Sequence, residues 1–383
     1  MIINIFGSTG EIGRKTLRLI SKYYPKIKIN LLCADKNTRI IINQIKNYKP
    51  KYVYLDSVQS SNELKLKNYK KTKIFNFKEL SSYLKKSKSD LTILAVSGYK
   101  SLYYLDDIIY NTKNLGLVNK EAIVSAGHIF KNNKYFNKTN IFPLDSEHFS
   151  MFSYNNSLKI SNYKKIILTA SGGPFHKYNF NTLKNVTFNQ AIKHPKWQMG
   201  YKNSIDSATL VNKCLEIIEA HYLFDIPFNK IDILIHPQAI VHSIIIKQNH
   251  TTIYNAFNND MSIPLLNFLN LSNLKSKKIV SNLAFSHETY LEFNKIKDKV
   301  FPIYKFFIKL DKSNPANIIK FNIGNEIAVN MFKLELIKYT EILKIIKKVV
   351  SIKLYSPLNN IRDIIKFHED VNNKCKLLFK DFN

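Results

Sequence analysis

The first thirteen residues restrict the fold more than any other stretch. Ile2 to Phe6 is a short apolar run that ends in Gly7-Ser8-Thr9-Gly10-Glu11-Ile12-Gly13, and Thr16, Leu17, Leu19 and Ile20 then continue at helical spacing as far as Pro25. That order is strand, glycine turn, helix. A glycine turn feeding a helix start aims free backbone N–H groups and the positive end of the helix dipole at a phosphate. The spacing is G-x-x-G-x-x-G, which a plain strand-to-helix turn could also use. Further strands are expected at Ile27 to Ala34, Tyr52 to Leu55, Leu91 to Val96 and Leu115 to Val118, alternating with helical stretches. The alternation predicts a doubly wound parallel sheet with a nucleotide at the carboxyl ends of its strands.

Asn119-Lys120-Glu121 follows the strand at 115–118 and falls at the same edge, where Lys120 offers either a charge for a substrate oxygen or an ordinary helix start. Ile141 to Leu144 reads as the end of a buried strand running into Asp145-Ser146-Glu147-His148. On a strand, alternate residues share a face, so Asp145 and Glu147 would point the same way. A third carboxylate, Glu216, lies in a stretch read as one helix from Ser207 to Ala220, with Thr209, Asn212, Lys213 and Glu219 on the same stripe. Three all-oxygen ligands suit Mg²⁺ or Mn²⁺ better than Zn²⁺. The bland alternatives are an acidic turn facing water and a solvated helix face.

Beyond residue 144 the texture changes. Lys164 to Thr169 reads as a strand leading into Ala170-Ser171-Gly172-Gly173-Pro174-Phe175, a turn whose backbone and Ser171 hydroxyl can approach an anion. His194-Pro-Lys-Trp197-Gln-Met199-Gly200 holds the only Trp, as a lid or as a buried anchor for a loop. Ile231 to Ile235, Val241 to Lys247 and Thr251 to Phe257 suggest a mixed or antiparallel sheet, with His236 and His242 in supporting roles. Residues 270–312 lack sustained periodicity and read as a link. Asn322 to Lys333, Thr340 to Val350 and Asn359 to Phe379 read as amphipathic helices of a small bundle.

Composition bounds the partners. The 383 residues carry 58 Lys and Arg against 28 Asp and Glu, a net charge of +30. Such a charge raises nucleic acid or anionic membrane as partners, but the lysines are dispersed and no recognition motif accompanies them, so neither is expected as a specific partner. The charge favours phosphorylated small molecules instead. Cys33, Cys214 and Cys375 are odd in number and far apart, which fits a reducing compartment. No uncharged apolar run approaches a bilayer span, and the first strand begins at Ile2, so a cytoplasmic location is expected.

Eight short motifs carry a family resemblance, in the family's order. They are Gly-Ser-Thr-Gly-x-Ile-Gly at 7–13, Asn-Lys-Glu at 119–121, Asp-Ser-Glu-His at 145–148 and Ser-Gly-Gly-Pro-Phe at 171–175. After them come His-Pro-x-Trp-x-Met-Gly at 194–200, Asp-Ser-Ala-Thr at 206–209, Asn-Lys-x-Leu-Glu at 212–216 and His-Pro-Gln-x-x-x-His-Ser at 236–243. On these the chain resembles the 1-deoxy-D-xylulose 5-phosphate reductoisomerases. The resemblance implies a Rossmann-like NADPH-binding domain at 1–144, an α+β catalytic domain at 145–270 that also makes a homodimer contact, a linker at 271–312 and a helical domain at 313–383. It implies that Asp145, Glu147 and Glu216 hold Mg²⁺ or Mn²⁺, with Lys120, Glu147 and His194 catalytic. Substrate phosphate would meet Ser171, Ser207, Asn212 and Lys213, while Ser146, Lys120 and His194 would meet its other oxygens. Trp197 and Met199 would belong to a closing loop. Thr9, Gly10, Glu11 and Ile12, then Asp35, Lys36 and Asn37, then Asn119, Glu121, Met199 and Gly200 would contact NADPH.

Three positions depart from the family pattern: Asp35 and Ala170 stand where a small residue and a Gly are expected, and Cys214 replaces a Gly beside Lys213. Two other classes stay open on sequence. A semialdehyde dehydrogenase of similar plan would need a catalytic Cys, and a basic nucleic-acid-binding protein would need a recognition motif.

Overall fold

A computed structural model describes residues 1–67, 69–130, 138–193, 200–270 and 290–380, together with Val280 and Leu283. The chain divides into two compact units. The first comprises Met1–Ala122, Ile129–Phe149 and Asp260–Asn282, and the second Ile123–His128, Ser150–Asn259 and Leu283–Asn383.

The first unit is built on seven strands: β1 (Ile2–Phe6), β2 (Lys28–Ala34), β3 (Tyr52–Leu55), β4 (Lys73–Phe75), β5 (Ser89–Leu94), β6 (Thr112–Leu117) and β7 (Asn140–Pro143). They pair in the order β4-β3-β2-β1-β5-β6-β7, and every pair is parallel. The doubly wound sheet is therefore as expected, with one further strand. That strand, β4, is only three residues long, too short for any alternation to be read. The chain winds outward from β1 to β4 and then returns to the other side of β1 at β5, which makes the carboxyl end of β1 the point where strand order reverses.

Apolar residues on both faces of these strands make the core. Ile3, Ile5, Leu32, Val53, Leu91 and Ile93 are fully buried, and burying side chains of this size stabilises by roughly 1.5–3 kcal/mol each. The helix Ser262–Leu269 adds Phe268, whose ring meets Phe142 edge-on at 5.7 Å. Gly116 on β6 makes room for this: a Cβ there would lie 2.7 Å from Leu144 Cδ1 and 3.1 Å from the Phe268 ring. A bond of 2.6 Å from Lys15 to Asp260 fastens the entry to that helix.

The second unit holds a four-stranded sheet, β11-β10-β8-β9, made of β8 (Tyr163–Ala170), β9 (Ile231–Ile235), β10 (Val241–Lys247) and β11 (Thr252–Ala256). It is mixed: β8 and β9 are parallel, and β10 runs against both β8 and β11. The stretch read as a link contains, among its described residues, the helix Pro302–Lys309 and a bridge from Asn294 to Ile235. Eight residues give too few turns for a readable stripe. The helix expected from Asn322 begins earlier, at Pro315, because Asn314 caps it by accepting from the Ala316 N–H at 3.0 Å and Pro suits a first helical position. Ile342–Val350 and Ile361–Leu378 complete the helical part. Among the described residues no helix is long and apolar enough to cross a membrane. Cys33, Cys214 and Cys375 are free and buried.

On the helix Ile361–Leu378, His368 is fully buried, and its Nε2 lies 3.0 Å from Ser125 Oγ. Burial pushes its pKa down from 6.5 to about 3. The folded chain thus keeps a neutral imidazole where the unfolded chain takes up a proton below pH 6.5. Stability should fall as pH drops from about 6.5 towards 3, by at most about 1.4 kcal/mol per pH unit from this group. Thermal melts between pH 7.5 and 5 are expected to show that slope, and His368→Asn should flatten it; an unchanged slope would assign the acid sensitivity to other groups.

Candidate functional site

The glycine turn sits at the end of β1 as expected. Gly7 has φ +85°, and a Cβ there would lie 2.3 Å from Ala95 O; a Cβ on Gly13 would lie 2.4 Å from Gly7 O. Two of the three glycines are therefore fixed by close approach of backbone. Gly10 precedes the helix Glu11–Tyr23, whose N-terminus no side chain caps. Thr9 and Ile12 are half-buried, while Gly10 and Glu11 are exposed. An uncapped helix start at a strand-order reversal fits the diphosphate of a dinucleotide. Sequence reasoning missed Gln44: its side-chain amide donates to Ser8 O at 2.7 Å, and its oxygen accepts from Ser8 Oγ at 2.9 Å, pinning the turn.

Asp35, Lys36 and Asn37 follow β2 and are exposed. The Asn37 oxygen accepts from the Ile40 N–H at 3.1 Å, capping the helix Thr38–Tyr48, so that atom is already in use. Asn119 is more fully committed. Its amide donates to Val96 O, to Gly98 O at 3.2 Å and to Glu121 at 3.0 Å, and its oxygen accepts from Ser101 Oγ at 3.0 Å and the Ala122 N–H at 2.5 Å. It knots the ends of β5 and β6 together.

Asp145 and Glu147 do not share a strand face. The strand stops at Pro143, and Glu147 stands in the first turn of the helix Ser146–Ser153, with the Phe149 N–H on Asp145 O at 2.7 Å. The strand reading failed because an apolar run says nothing of where its strand stops. Asp-Ser-Glu is a good helix start, since acidic groups there face the positive end of the dipole. Asp145 receives the Lys120 ammonium on one oxygen, and His148 Nδ1 lies 3.1 Å from the other. Lys120 is the first residue of the helix Lys120–Phe130, and Ser146 Oγ donates to Glu147 at 2.5 Å.

The stretch read as one helix from Ser207 to Ala220 is two. Tyr201–Thr209 and Val211–Phe224 meet at Leu210, which is left-handed at φ +61°. A Leu in that conformation costs roughly 1–2 kcal/mol, offset here by full burial of its side chain. Periodicity cannot reveal such a break, since the apolar pattern runs through it. Ser207 therefore lies on the first helix and Asn212, Lys213 and Glu216 on the second. Glu216 has no exposed surface; it accepts from Asn212 and, at 2.6 Å, from Lys213 Nζ. The polar stripe is thus a buried one, Lys213 and Glu219 included.

Ser171 begins the turn after β8, where Gly172 and Gly173 are both left-handed. A Cβ on Gly173 would lie 2.8 Å from Ala208 Cα and 3.0 Å from Ser207 O, so this glycine sets the turn directly against the Ser207 segment. His236 and His242 each bond a carbonyl, Glu292 O at 2.8 Å and Phe257 O at 3.2 Å, and stack on Phe293 and Phe257. The expected His194, Trp197 and Met199 lie outside the described residues, and Gly200 is exposed just before the helix Tyr201–Thr209. Among the described residues one group of acidic side chains could hold a metal ion: Asp145, Glu147 and Glu216 each offer an oxygen within 4.8 Å of the others. The set is all oxygen, as Mg²⁺ or Mn²⁺ requires.

Three family models match the chain: 1-deoxy-D-xylulose 5-phosphate reductoisomerase over residues 3–127, its C-terminal domain over 141–224, and the DXP reductoisomerase C-terminal domain over 257–374. A 1-deoxy-D-xylulose 5-phosphate reductoisomerase of Sulfurihydrogenibium sp. is 38% identical over 373 residues, covering 94% of each chain. One of Thermodesulfovibrio yellowstonii is 35% identical, covering 94% of this chain and 95% of the relative. Among solved structures, that of the Zymomonas mobilis 1-deoxy-D-xylulose 5-phosphate reductoisomerase with NADPH superposes with a TM-score of 0.86 at 28% identity, covering 98% of both chains. A DOX-P reductoisomerase in complex with NADPH, fosmidomycin and magnesium gives 0.86 at 26% identity, covering 99% of both.

The Lys213–Glu216 pair generates a stability test. Removing one partner of a buried pair strands the other charge, at a cost of about 3–5 kcal/mol. Lys213→Met should lower the melting temperature by several degrees, and the double change with Glu216→Gln should recover much of it. A Lys213→Met protein as stable as the parent would mean that Glu216 is adequately held without its lysine.

Proposed function

The chain belongs to the 1-deoxy-D-xylulose 5-phosphate reductoisomerase family, and on that premise we propose that Asp145, Glu147 and Glu216 hold its metal and that Ser171, Ser207, Asn212 and Lys213 bind its substrate's phosphate. The enzyme is an NADPH- and divalent-metal-dependent oxidoreductase of the non-mevalonate route to isoprenoid precursors, converting 1-deoxy-D-xylulose 5-phosphate to 2-C-methyl-D-erythritol 4-phosphate. The observation that carries the residue assignment is the convergence of three carboxylates, two from the Asp-Ser-Glu-His motif and one from the Asn-Lys-x-Leu-Glu motif.

The reaction rearranges the carbon skeleton and then reduces the aldehyde that results. When bound, the cation supplies Lewis-acid polarisation of the substrate's carbonyl and neighbouring hydroxyl, and NADPH the hydride. The chain's own residues do the rest. Ser171 and Ser207 donate hydroxyl bonds to the phosphate, Asn212 its amide and Lys213 its charge. Binding energy from a group remote from the reacting carbons holds the substrate in register while they change partners. Lys120 Nζ donates to a substrate oxygen, Glu147 and Ser146 receive its hydroxyls, and His194 approaches the same oxygens. Trp197 and Met199 exclude water from the aldehyde. Without the cation, Lys120 on Asp145 and Lys213 on Glu216 act as counter-charges.

For the cofactor, the uncapped helix start with Thr9, Gly10, Glu11 and Ile12 takes the diphosphate, and Asp35, Lys36 and Asn37 meet the ribose and its 2′-phosphate. Asn119 and Glu121 shape the nicotinamide end through main chain, since the Asn119 side chain is committed to protein partners. Gly200 and Met199 close over it. The same reading assigns the cofactor domain to 1–144, the catalytic domain to 145–270, the linker to 271–312 and the helical domain to 313–383. It also makes the chain a cytoplasmic homodimer with its contact in the catalytic domain, where β11 is an edge strand carrying the half-exposed Tyr254.

Two measurements test this. Glu216→Gln should abolish turnover, by more than a hundredfold, while leaving NADPH affinity and secondary structure intact, and chelator should do the same reversibly to the parent; full activity in excess chelator would remove the metal assignment. The second concerns Asp35. An acid at the end of β2 ordinarily favours the ribose hydroxyls of NAD over the 2′-phosphate, but exposed Lys36 and Arg39 keep the local balance positive. Exposed charges a few ångströms apart interact by only about 1 kcal/mol in water. Asp35→Gly should therefore widen the NADPH preference in kcat/KM about fivefold, and a parent that favours NADH would refute the charge argument.

A further inference from the structure

Three contacts converge on Asp206-Ser207-Ala208, and they come from residues with no assigned part in catalysis. Asp206 is 2% exposed; one carboxylate oxygen accepts from Lys202 Nζ at 2.8 Å and the other from Asn325 Nδ2 at 2.7 Å. Asn325 is itself fully buried, on the helix Pro315–Lys333. On the other side of Ser207, the Ala208 carbonyl accepts from the Tyr339 hydroxyl at 2.8 Å, also buried. That carbonyl lies in the last turn before the left-handed Leu210, where helix carbonyls lose their intrahelical donors and a buried one needs a replacement. Gly173 bears on the same segment from the Ser171 turn. Ser207, between the two tethered residues, has its height and rotation set from both sides.

We infer that Asn325 and Tyr339, from the C-terminal helical part, are positioning residues for the substrate phosphate: through Asp206 and Ala208 they fix the Ser207 turn against the Ser171 turn. The inference rests on the assignment of Ser171 and Ser207 to the phosphate. It gives the C-terminal helices a task beyond covering apolar surface, since the phosphate pocket is held in register by side chains more than a hundred residues further along the chain. A hydroxyl misplaced by a fraction of an ångström still packs, but it loses the geometry of a charge-assisted bond. The Tyr339 ring is held independently of its hydroxyl, edge-on to Phe175 at 5.2 Å and to Phe332 at 5.8 Å, so Tyr339→Phe removes the tether alone.

The test uses the full chain with metal and NADPH. Tyr339→Phe, Asn325→Ala and, as a control on the phosphate site, Ser207→Ala are compared by KM and kcat for 1-deoxy-D-xylulose 5-phosphate, by the inhibition constant of inorganic phosphate, and by NADPH affinity from its fluorescence. Both tether variants should raise KM and the phosphate inhibition constant together, five- to twentyfold, with kcat changed less than threefold and NADPH affinity within twofold. If Asn325→Ala does not fold, Tyr339→Phe decides alone. A Tyr339→Phe protein with parental KM and phosphate inhibition, at whatever melting temperature, overturns the inference, as does equal weakening of NADPH and phosphate. If Ser207→Ala raises both constants while the tethers do not, the phosphate site stands and only the positioning role falls. If Ser207→Ala too is silent, the phosphate assignment itself is wrong and the inference falls with it.

Discussion

The structure depends on burying negative charge without leaving it alone. Glu216 is fully buried, Asp206 nearly so, and an isolated carboxylate in such surroundings would cost many kcal/mol. Each is given a lysine from its own helix, Lys213 three residues before Glu216 and Lys202 four before Asp206, and an amide besides. Asp145, just ahead of its helix, is instead given a lysine from another helix, Lys120, with His148 beside it. Helical spacing is what lets a lysine reach its own carboxylate, so the breaks and starts of helices in this region follow from the placing of charge as much as from apolar packing.

Much of this was legible in the sequence, and where it was not the reasons are physical. The parallel sheet could be read because its strands are apolar runs punctuated by glycine and by helical periodicity. β3, β9 and β10 were bounded to the residue, while β4 is too short to carry a pattern. Asp145, Glu147 and Glu216 do come within reach of one another, but on a different scaffold: the sequence reads Asp145 and Glu147 as strand residues, yet a helix begins at Ser146. Leu210 was invisible because a left-handed residue leaves hydrophobic periodicity untouched. Gln44, Asn325 and Tyr339 give no signal in the sequence because their partners lie 36 to 131 residues away and no local spacing announces such a bond.

The departures from the family pattern settle into the structure quietly. Ala170 ends β8 buried, and Cys214 is enclosed in its helix without displacing Lys213 from Glu216. The excess of positive charge is likewise carried mostly by exposed side chains, with a minority of lysines drawn inward to serve carboxylates. A field of that sign raises the local concentration of anions such as a sugar phosphate and a dinucleotide phosphate.

The three cysteines have a consequence for how this chain meets its chemical surroundings. All are buried and unpaired, and burial pushes the thiols of Cys33 and Cys214 well above their ordinary pKa and that of Cys375 to about 11. Sulfur attacks as the thiolate, so the native molecule presents almost nothing to a peroxide, an alkylating reagent or another protein's disulfide. Each thiol becomes available only when the packing around it opens. Because Cys33 lies in β2, Cys214 in the Glu216 helix and Cys375 in the last helix, the chain carries three internal gauges of opening, one in the first unit and two in the second, whose labelling rates would rank the local stability of those elements without any engineered probe.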